Sequence, residues 1–473
     1  MSVDTKHPQY SEFHGDWVLM QDVYSGERVV KSKGTTYLPA TSGQIADGQG
    51  KSSNALGELA YQAYKTRAVF PSVGRDATEA LLGIMHRKPP RVSLPTALEP
   101  LLKRATVTGE SMSLLLRKIN EQQLVSGRVG LMLDLPSAAP EGLPVLPYFA
   151  LYEALTIINW DDGSRTMPTL QTLNLVVLCE TENVRKDAFT WELEEKYRVL
   201  FLGDIVQNEL TGVYNQTLFN KSGGTIEKTV VPSFRGKTLR EIPFRFINSK
   251  DLVPQPDEPP LIGLATLALA IYRGEADFRQ ALFMQGQDTL VVIGGEEDRT
   301  YRVGSNATIT PPLEGDAKFI GVNSSGLSEM RHALEDDKKL AALKGAQLID
   351  TTSRQRESGD ALRIRVAAQT ATLTQIAEAG AEALEQLLKL AATWVGANPE
   401  EVSVEPNKDF TADEVLGKTL VEYMTAKAIG APISLESIHE LLKKRGLTDK
   451  SFEDEMALIA GERPLGTGTD AGQ

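Results

Sequence analysis

The chain has 473 residues, of which 41% are hydrophobic and 24% are charged. This composition excludes wholesale disorder, and the length predicts more than one structural unit. The net charge of −13 at pH 7 argues against a surface that grips nucleic acid tightly through its phosphates.

The only cysteine, Cys179, lies in an apolar run. A disulfide within the chain is therefore excluded, a reducing compartment is favoured, and we expect this side chain to pack as a small buried hydrophobe. No stretch approaches the ~18 apolar residues of a membrane span, and the start of the chain lacks the features of a signal peptide. We expect a protein that is made and kept in the cytosol.

The predicted secondary structure changes twice along the first half of the chain. Residues 1–53 are rich in Gly, Ser, Thr and Asp, which predicts an arm that needs neighbours to order it. Apolar residues at helical spacing then predict helices, and period-two alternation between Arg128 and Ile247 predicts a β-rich unit that includes a buried strand at 128–134. The predicted helices cover residues 56–64, 78–85, 95–105 and 111–125.

A proline-rich connector at 254–260 opens the second half. An apolar stripe from Leu261 to Leu282 predicts one long helix, which is followed by a compact β pattern over 289–320. A second helix, capped by Ser328, carries a charged face. Its apolar positions are Met330, Leu334, Ala341 and Leu348.

A polar interval at 351–360 predicts a solvent-facing loop. The stripe from Leu362 to Trp394 predicts a still longer helix, with a bend at Gly380 and termination by Gly396 and Pro399. A small helical pair is expected over 411–428 and 434–444, and the composition of 466–473 predicts a disordered tail.

No catalytic motif emerges, so we predict that the protein is not an enzyme and binds no metal or cofactor. Gly50-Lys51-Ser52 resembles the end of a Walker A loop, but Ile45 stands where the motif needs glycine. The nearest thing to a nuclease site is Asp187 with Glu194-Glu195-Lys196, and these residues fit better as the polar side of an alternating strand. The histidines stand too far apart to predict a metal site.

Short phrases spread over about residues 54–400 resemble a family of tailed-phage portal proteins originally described as a conserved domain of unknown function, and the order of the predicted elements is similar to theirs. None of the phrases is a catalytic motif. The phrases are Tyr64–Phe70, Arg87–Pro90, Gly127–Pro136, Ile158–Trp160, Phe246–Asn248, Pro259–Leu261 and Glu275–Phe283.

The resemblance implies an α+β portal fold that assembles as a ring, with a β-rich and helical wing, a two-helix stem, a small α/β clip, a long kinked helix and a helical crown. The implied parts are the N-terminal arm 1–53, the wing 54–257, the stem helices 258–286 and 326–349, the clip 287–325, the tunnel loop 350–360, the long helix with the rest of the wing 361–410, and the crown and tail 411–473.

The implied function is that of a dodecameric ring at one capsid vertex of a virion, assembled in the host cytoplasm, through which double-stranded DNA is packaged and ejected. The implied partners are further copies of the chain, the terminase large subunit, a head-to-tail adaptor, the major capsid protein and scaffold, with no membrane. A channel must let the duplex slide, so DNA contacts should be weak and blind to sequence.

Two sets of residues are candidates for contacts within this scheme. The first set would touch DNA phosphates from the tunnel loop and the second stem helix. It consists of Arg354, Arg356, Lys338, Lys339 and Lys344. The second set would form polar contacts between the clip and the terminase or adaptor. It consists of Glu296, Glu297, Asp298 and Arg299.

Charged residues on a helix are more often a solvated face, and a hairpin tip is polar in any case, so both sets keep an ordinary explanation. Two other functions also stay open at this point. One is another ring protein of the virion neck, such as an adaptor. The other is a metal-dependent nuclease with an unrecognised carboxylate site.

Overall fold

The computed structural model describes residues 2–136, 146–163, 173–204, 207, 209–221, 229–234, 236–285, 289–293, 315–320, 325–347, 359–408, 410, 413–444, 448 and 450–461. The fold mixes helices and antiparallel sheets. The chain divides into two compact units, residues 1–407 and 408–473. Within the described ranges, no helix combines the length and the apolar composition that a membrane crossing requires.

The first unit begins with a run of helices, and its longest helices follow the main sheets. Its helices are α1 Pro8–Ser25, α2 Glu27–Ser32, α3 Ser42–Ala46, α4 Leu56–Arg67, α5 Val73–Met85, α6 Met112–Ser126, α7 Ile262–Gln285, α8 Ser325–Gln347 and α9 Gly359–Val395. The second unit contains α10 Asp413–Ala428, α11 Leu435–Lys444 and α12 Phe452–Gly461.

Among the described residues, the strands belong to the first unit. They are β1 Arg91–Ser93, β2 Arg128–Asp134, β3 Tyr148–Glu153, β4 Ile157–Asp161, β5 Leu175–Arg185, β6 Trp191–Asp204, β7 Glu209–Asn220, β8 Ser233–Phe234, β9 Lys237–Thr238, β10 Phe244–Asn248, β11 Thr289–Ile293, β12 Asp316–Ile320 and β13 Ser403–Glu405. The main sheets have the strand orders β10-β2-β3 and β4-β5-β6-β7.

The three-stranded sheet forms the centre of the core. Every residue of β2 is buried, as the sequence predicts, because α6 and α9 pack against this part of the sheet. Gly130 is required there, since a Cβ at this position would lie 2.3 Å from the Phe244 ring. The apolar stripe of α9 is buried from Leu373 onward and joins the same core from Ala381. The stripe includes Ile376, Leu384, Leu387, Leu388, Ala391 and Trp394.

The N-terminal segment is not the arm that its composition predicts. Helix α1 packs against α6 and α7, and Trp17 is completely buried. The Tyr10 hydroxyl donates to the Leu155 carbonyl oxygen at 3.0 Å, so the segment is part of the core. The prediction was wrong because Tyr10, Trp17 and Met20 are too widely spaced to raise the local apolar content, although all three are buried.

Several helix boundaries also differ from prediction. The segment 95–105 contains only a 3₁₀ turn, Glu99–Leu102. Helix α8 begins at Ser325, so Ser328 lies inside it rather than capping it. Gly380 permits close packing, since a Cβ there would lie 2.8 Å from the Asn120 side-chain nitrogen. The long helices otherwise start and end within three residues of their predicted limits.

The described part of the second unit contains three helices, α10, α11 and α12. Its α11 and α12 contact each other through His439 and Phe452, whose ring centroids are 5.5 Å apart with the rings nearly perpendicular. Ile438 is buried in the same unit. The predicted helical pair at 411–428 and 434–444 therefore corresponds to α10 and α11. The tail at 466–473 lies outside the described residues.

Candidate functional site

Helices α7 and α8 form an antiparallel pair, the region that the sequence assigns to the stem. Residue contacts run in opposite directions: Gly274 lies against Leu334, whereas Gly263, earlier in α7, lies near Lys344. The buried apolar contact between the helices also takes in α5, which holds α8 onto the body of the unit. Its residues are Ala77, Leu264, Ile271, Leu334 and Ala341.

A buried carboxylate joins the two helices. Glu275 of α7 accepts hydrogen bonds from Lys338 Nζ at 2.6 Å and from Arg279 Nε at 2.7 Å. The Glu275 side chain is only 8% exposed, and that of Lys338 is 50% exposed. Burial alone would raise the pKa of Glu275, but the bonds and charges of Lys338 and Arg279 outweigh burial and lower it.

The predicted DNA-contacting residues thus fall into separate classes. Lys338 is an interhelical ion-pair partner of a buried acid. Lys339 pairs with Asp336 on the exposed face of α8 at 2.9 Å. Lys344 is exposed near the start of α7. Arg354 and Arg356 lie outside the described residues, as do the predicted clip contacts Glu296, Glu297, Asp298 and Arg299.

The outer face of α8 carries alternating charges. Arg331 and Glu335 form a second surface pair at 2.8 Å, one turn before Asp336 and Lys339. Such pairs between exposed groups contribute little stability, but they leave the face close to electrically neutral. A duplex beside this face would therefore meet paired charges rather than a row of free cations.

Two of the phrases that carry the family resemblance contact each other. The Tyr64 hydroxyl donates to Asp277 at 2.5 Å, and Arg67 bonds to Gln280 and lies over the Phe283 ring at 4.0 Å. The phrase at 64–70 therefore anchors the second half of α7 to the body. The sequence does not show this contact, because Tyr64 and Asp277 are 213 residues apart.

Three further phrases meet at a buried arginine. The Arg128 guanidinium lies between the rings of Trp160, at 4.2 Å, and Phe246, at 4.1 Å, and donates to the Pro254 carbonyl oxygen at 2.7 Å. Burial lowers the pKa of Arg128 to about 9, although Asp257 opposes this effect. The cluster fixes the start of the connector that leads into α7.

The side chain of Asn248 completes this attachment. Its amide nitrogen donates to Asp251 Oδ1, to the Val253 carbonyl and to the Gln255 carbonyl, at 3.0, 2.9 and 2.7 Å. The next residue, Ser249, bonds to Asp257 at 3.0 Å. The connector is therefore held by its own polar groups on one side and by the sheet on the other, which defines the direction in which α7 leaves the core.

Both helices of this pair also expose apolar side chains. The C-terminal turns of α7 and one face of α8 are involved, and the Leu282 position that the sequence assigns to a buried stripe is among them. The exposed residues are Leu282, Phe283, Met284, Leu340 and Leu343. Strands β11 and β12 follow as an antiparallel pair with Thr289 opposite Ile320.

The residues weighed as catalytic candidates have structural partners. Gly50 donates its backbone N–H to Glu58 Oε2 at 3.0 Å, so a carboxylate already occupies the amide that a phosphate would need. Glu194 pairs with Lys186 and Glu195 with Lys221, on opposite faces of β6. Among the described residues, no three His, Cys, Asp or Glu side chains come together in a way that could hold a metal ion.

A family model described as a domain of unknown function, DUF4055, matches residues 260–395, which run from α7 to the end of α9. No curated protein matches the chain. Among solved structures, the chain is similar to one from the virion of a native gene transfer agent particle, with 14% identity and a TM-score of 0.42 over 85% of this chain and 98% of that chain.

Two further similar chains come from necks of gene transfer agent particles. The first, from a native particle computed with C12 symmetry, is 14% identical with a TM-score of 0.39, over 78% of this chain and 89% of that chain. The second, from an empty particle computed with C6 symmetry, is 15% identical with a TM-score of 0.40, over 85% of this chain and 97% of that chain.

Proposed function

We propose that the chain is the portal subunit of a tailed phage and forms a dodecameric ring through which double-stranded DNA is packaged and ejected. The observation that carries the proposal is the antiparallel α7–α8 pair, which exposes apolar side chains at both ends. Leu282 and Met284 lie beside the contacts of Tyr64 and Arg67, and Leu340 and Leu343 lie toward the start of α7. Apolar surface of this kind needs a partner in solution. Neighbouring copies around a ring supply one.

The charges of α8 support a passive DNA path. Lys338 is committed to Glu275, and the outer pairs leave few free cations for phosphates. Weak contacts allow a duplex to slide, whereas phosphate clamping would hold it. Within this proposal Lys344, Arg354 and Arg356 remain the candidates for transient phosphate contacts.

The β11–β12 segment is the proposed docking site for the terminase large subunit and later for the head-to-tail adaptor, through Glu296, Glu297, Asp298 and Arg299. The major capsid protein and scaffold would contact the outside of the ring, and the ring would reside in the virion. We propose a structural role without catalysis, in which the terminase supplies the energy for translocation.

Sedimentation and negative-stain electron microscopy of the purified chain test this function. We expect a large discrete particle that appears as a ring with a central hole. The variant Leu343→Ser should shift the population toward smaller species, whereas the matched control Leu56→Ser, at an exposed residue of α4, should not. A dispersed monomer at high protein concentration would overturn the proposal.

A further inference from the structure

Strands β5 and β6 form a long β-hairpin that projects from the core of the first unit. The two strands pair without interruption from Leu175 opposite Phe201 to Arg185 opposite Trp191. Cys179 and Tyr197 are the last pair that packs on the core, and Arg185 lies six residues farther. At ~3.3 Å per residue, the tip stands about 20 Å beyond the core.

The tip presents large apolar side chains to solvent. Phe189 is 93% exposed, Trp191 is 61% exposed and Leu193 is 68% exposed. Trp191 and Leu193 point to the same face of the hairpin because side chains alternate along a strand. The opposite face is polar, with Lys186 paired to Glu194 and Lys196 paired to Glu182. An aromatic knob of this size on a polar stalk is a feature of contact surfaces.

The turn that carries Phe189 is well ordered by its own hydrogen bonds. Asp187 Oδ1 accepts from the N–H groups of Phe189 and Thr190, both at 2.8 Å. Arg185 donates to the carbonyl oxygens of Asp187 and Ala188 at 2.9 and 2.6 Å and lies over the Trp191 ring at 6.0 Å. The knob is therefore preorganised and carries a positive charge beside its aromatic rings.

A cleft elsewhere on the same unit has the complementary character. It has a volume of about 430 Å³, lies between α6 and β3, and has Leu115 and Phe149 in its lining, with the exposed Val107 also contributing. The described lining contains three glutamates and one lysine: Glu110, Glu121, Glu153 and Lys118. Because Lys118 pairs with Glu110, the negative charge of Glu121 and Glu153 is left to dominate.

The repulsion between two glutamates of the cleft agrees with its negative charge. Burial and the neighbouring Glu121 raise the pKa of Glu153, which means that the two carboxylates repel each other. Glu121 also accepts a hydrogen bond from the Tyr24 hydroxyl at 3.0 Å. An incoming cation would relieve the repulsion. The cleft thus favours an apolar group that is accompanied by positive charge.

We propose that the β5–β6 tip of one subunit, through Phe189, Trp191 and Arg185, docks into the α6–β3 cleft of the neighbouring copy of this chain. The contact joins two different surfaces of identical subunits, and such head-to-tail contacts form a ring when the rotation between neighbouring subunits closes. The inference rests on the proposed ring function and adds to it the contact that links adjacent subunits.

Site-directed disulfide cross-linking tests the contact. In a Cys179→Ser background, one protein carries Phe189→Cys and a second carries Val107→Cys, and the two are assembled together and oxidised. Because each copy holds one cysteine, a bond between positions 189 and 107 must join two chains. We expect a covalent dimer on a non-reducing gel. In the control, the second protein carries Leu59→Cys, at an exposed residue of α4, in place of Val107→Cys. We expect no covalent dimer between positions 189 and 59.

A charge exchange provides a second test that retains Phe189 and Trp191. Arg185→Glu and Glu153→Arg should each raise the protein concentration needed for assembly several-fold, and the double variant should restore it. Two results would overturn the proposed contact but not the ring. One is rings that form normally with no more cross-linking than the control. The other is a double variant whose assembly defect equals the sum of the two single defects. Monomers under all conditions would overturn both proposals.

Discussion

Replacing Glu275 by glutamine removes the negative charge that joins α7 to α8. The buried carboxylate bonds to Lys338 and Arg279, whose side chains are 50% and 44% exposed. Losing one partner of a fully buried pair costs about 3–5 kcal/mol, whereas an exposed pair contributes about 0.2–1 kcal/mol. Because water can solvate both cations after the change, we expect a loss of about 1–2 kcal/mol of unfolding free energy.

Urea unfolding followed by far-ultraviolet circular dichroism measures this loss. A double-mutant cycle with Lys338→Met should give a coupling energy of about 1 kcal/mol. Lys339→Met provides the matched control, since the partner of Lys339 is the exposed Asp336, and it should leave the unfolding midpoint unchanged. A coupling between Glu275 and Lys338 below about 0.3 kcal/mol, within the error of additivity, would refute the reasoning.

The effect of pH on this variant follows from the lowered pKa of Glu275. A depressed pKa in the folded state contributes stability that is fully present above the ordinary value of 4.5 and is lost as the pH falls through the folded pKa. The stability difference between the parent and Glu275→Gln should therefore shrink as the pH falls below about 4.5. A difference that is independent of pH would contradict the ionic nature of the contact.

The remaining predictions concern three other sites. Gly130→Val should prevent correct folding, measured as loss of soluble protein, because its Cβ would lie 2.3 Å from the Phe244 ring. Burial and the Arg128 charge lower the pKa of His7, whose Nδ1 accepts the Gln9 N–H. Neutral His7 therefore stabilises the fold above pH 6.5, and this contribution falls as the pH drops below 6.5. In thermal unfolding, His7→Asn should weaken the dependence of the melting temperature on pH. Arg354→Ala with Arg356→Ala should alter the length or retention of packaged DNA, and unchanged values would remove these residues from the channel.

The long helices were predictable because their information is local. The stripes of α7, α8 and α9 repeat at helical spacing, and the termination of α9 at Gly396 follows from the positive φ of 71° that this glycine adopts. The buried strand β2 was equally clear from its continuous apolar run.

The errors arose where distant residues decide the structure. Helix α1 was missed because its order depends on contacts such as that between Tyr10 and Leu155, which are 145 residues apart. The sequence also cannot show that Glu275, 63 residues before Lys338, lies 2.6 Å from its Nζ. The DNA contact of Lys338 stays a prediction. Each family-like phrase is a short local pattern, whereas the contacts between the phrases join residues that are far apart in the sequence.

The central claim is that α7–α8 pairs from neighbouring subunits stand side by side around a hollow axis. A cryo-electron microscopy reconstruction of the purified assembly tests it most directly. We predict a closed ring in which these pairs surround an opening wide enough for duplex DNA, with the charged face of α8 toward the opening. A compact particle without a passage, or a ring whose α7–α8 pairs lie on its outer surface, would contradict the claim.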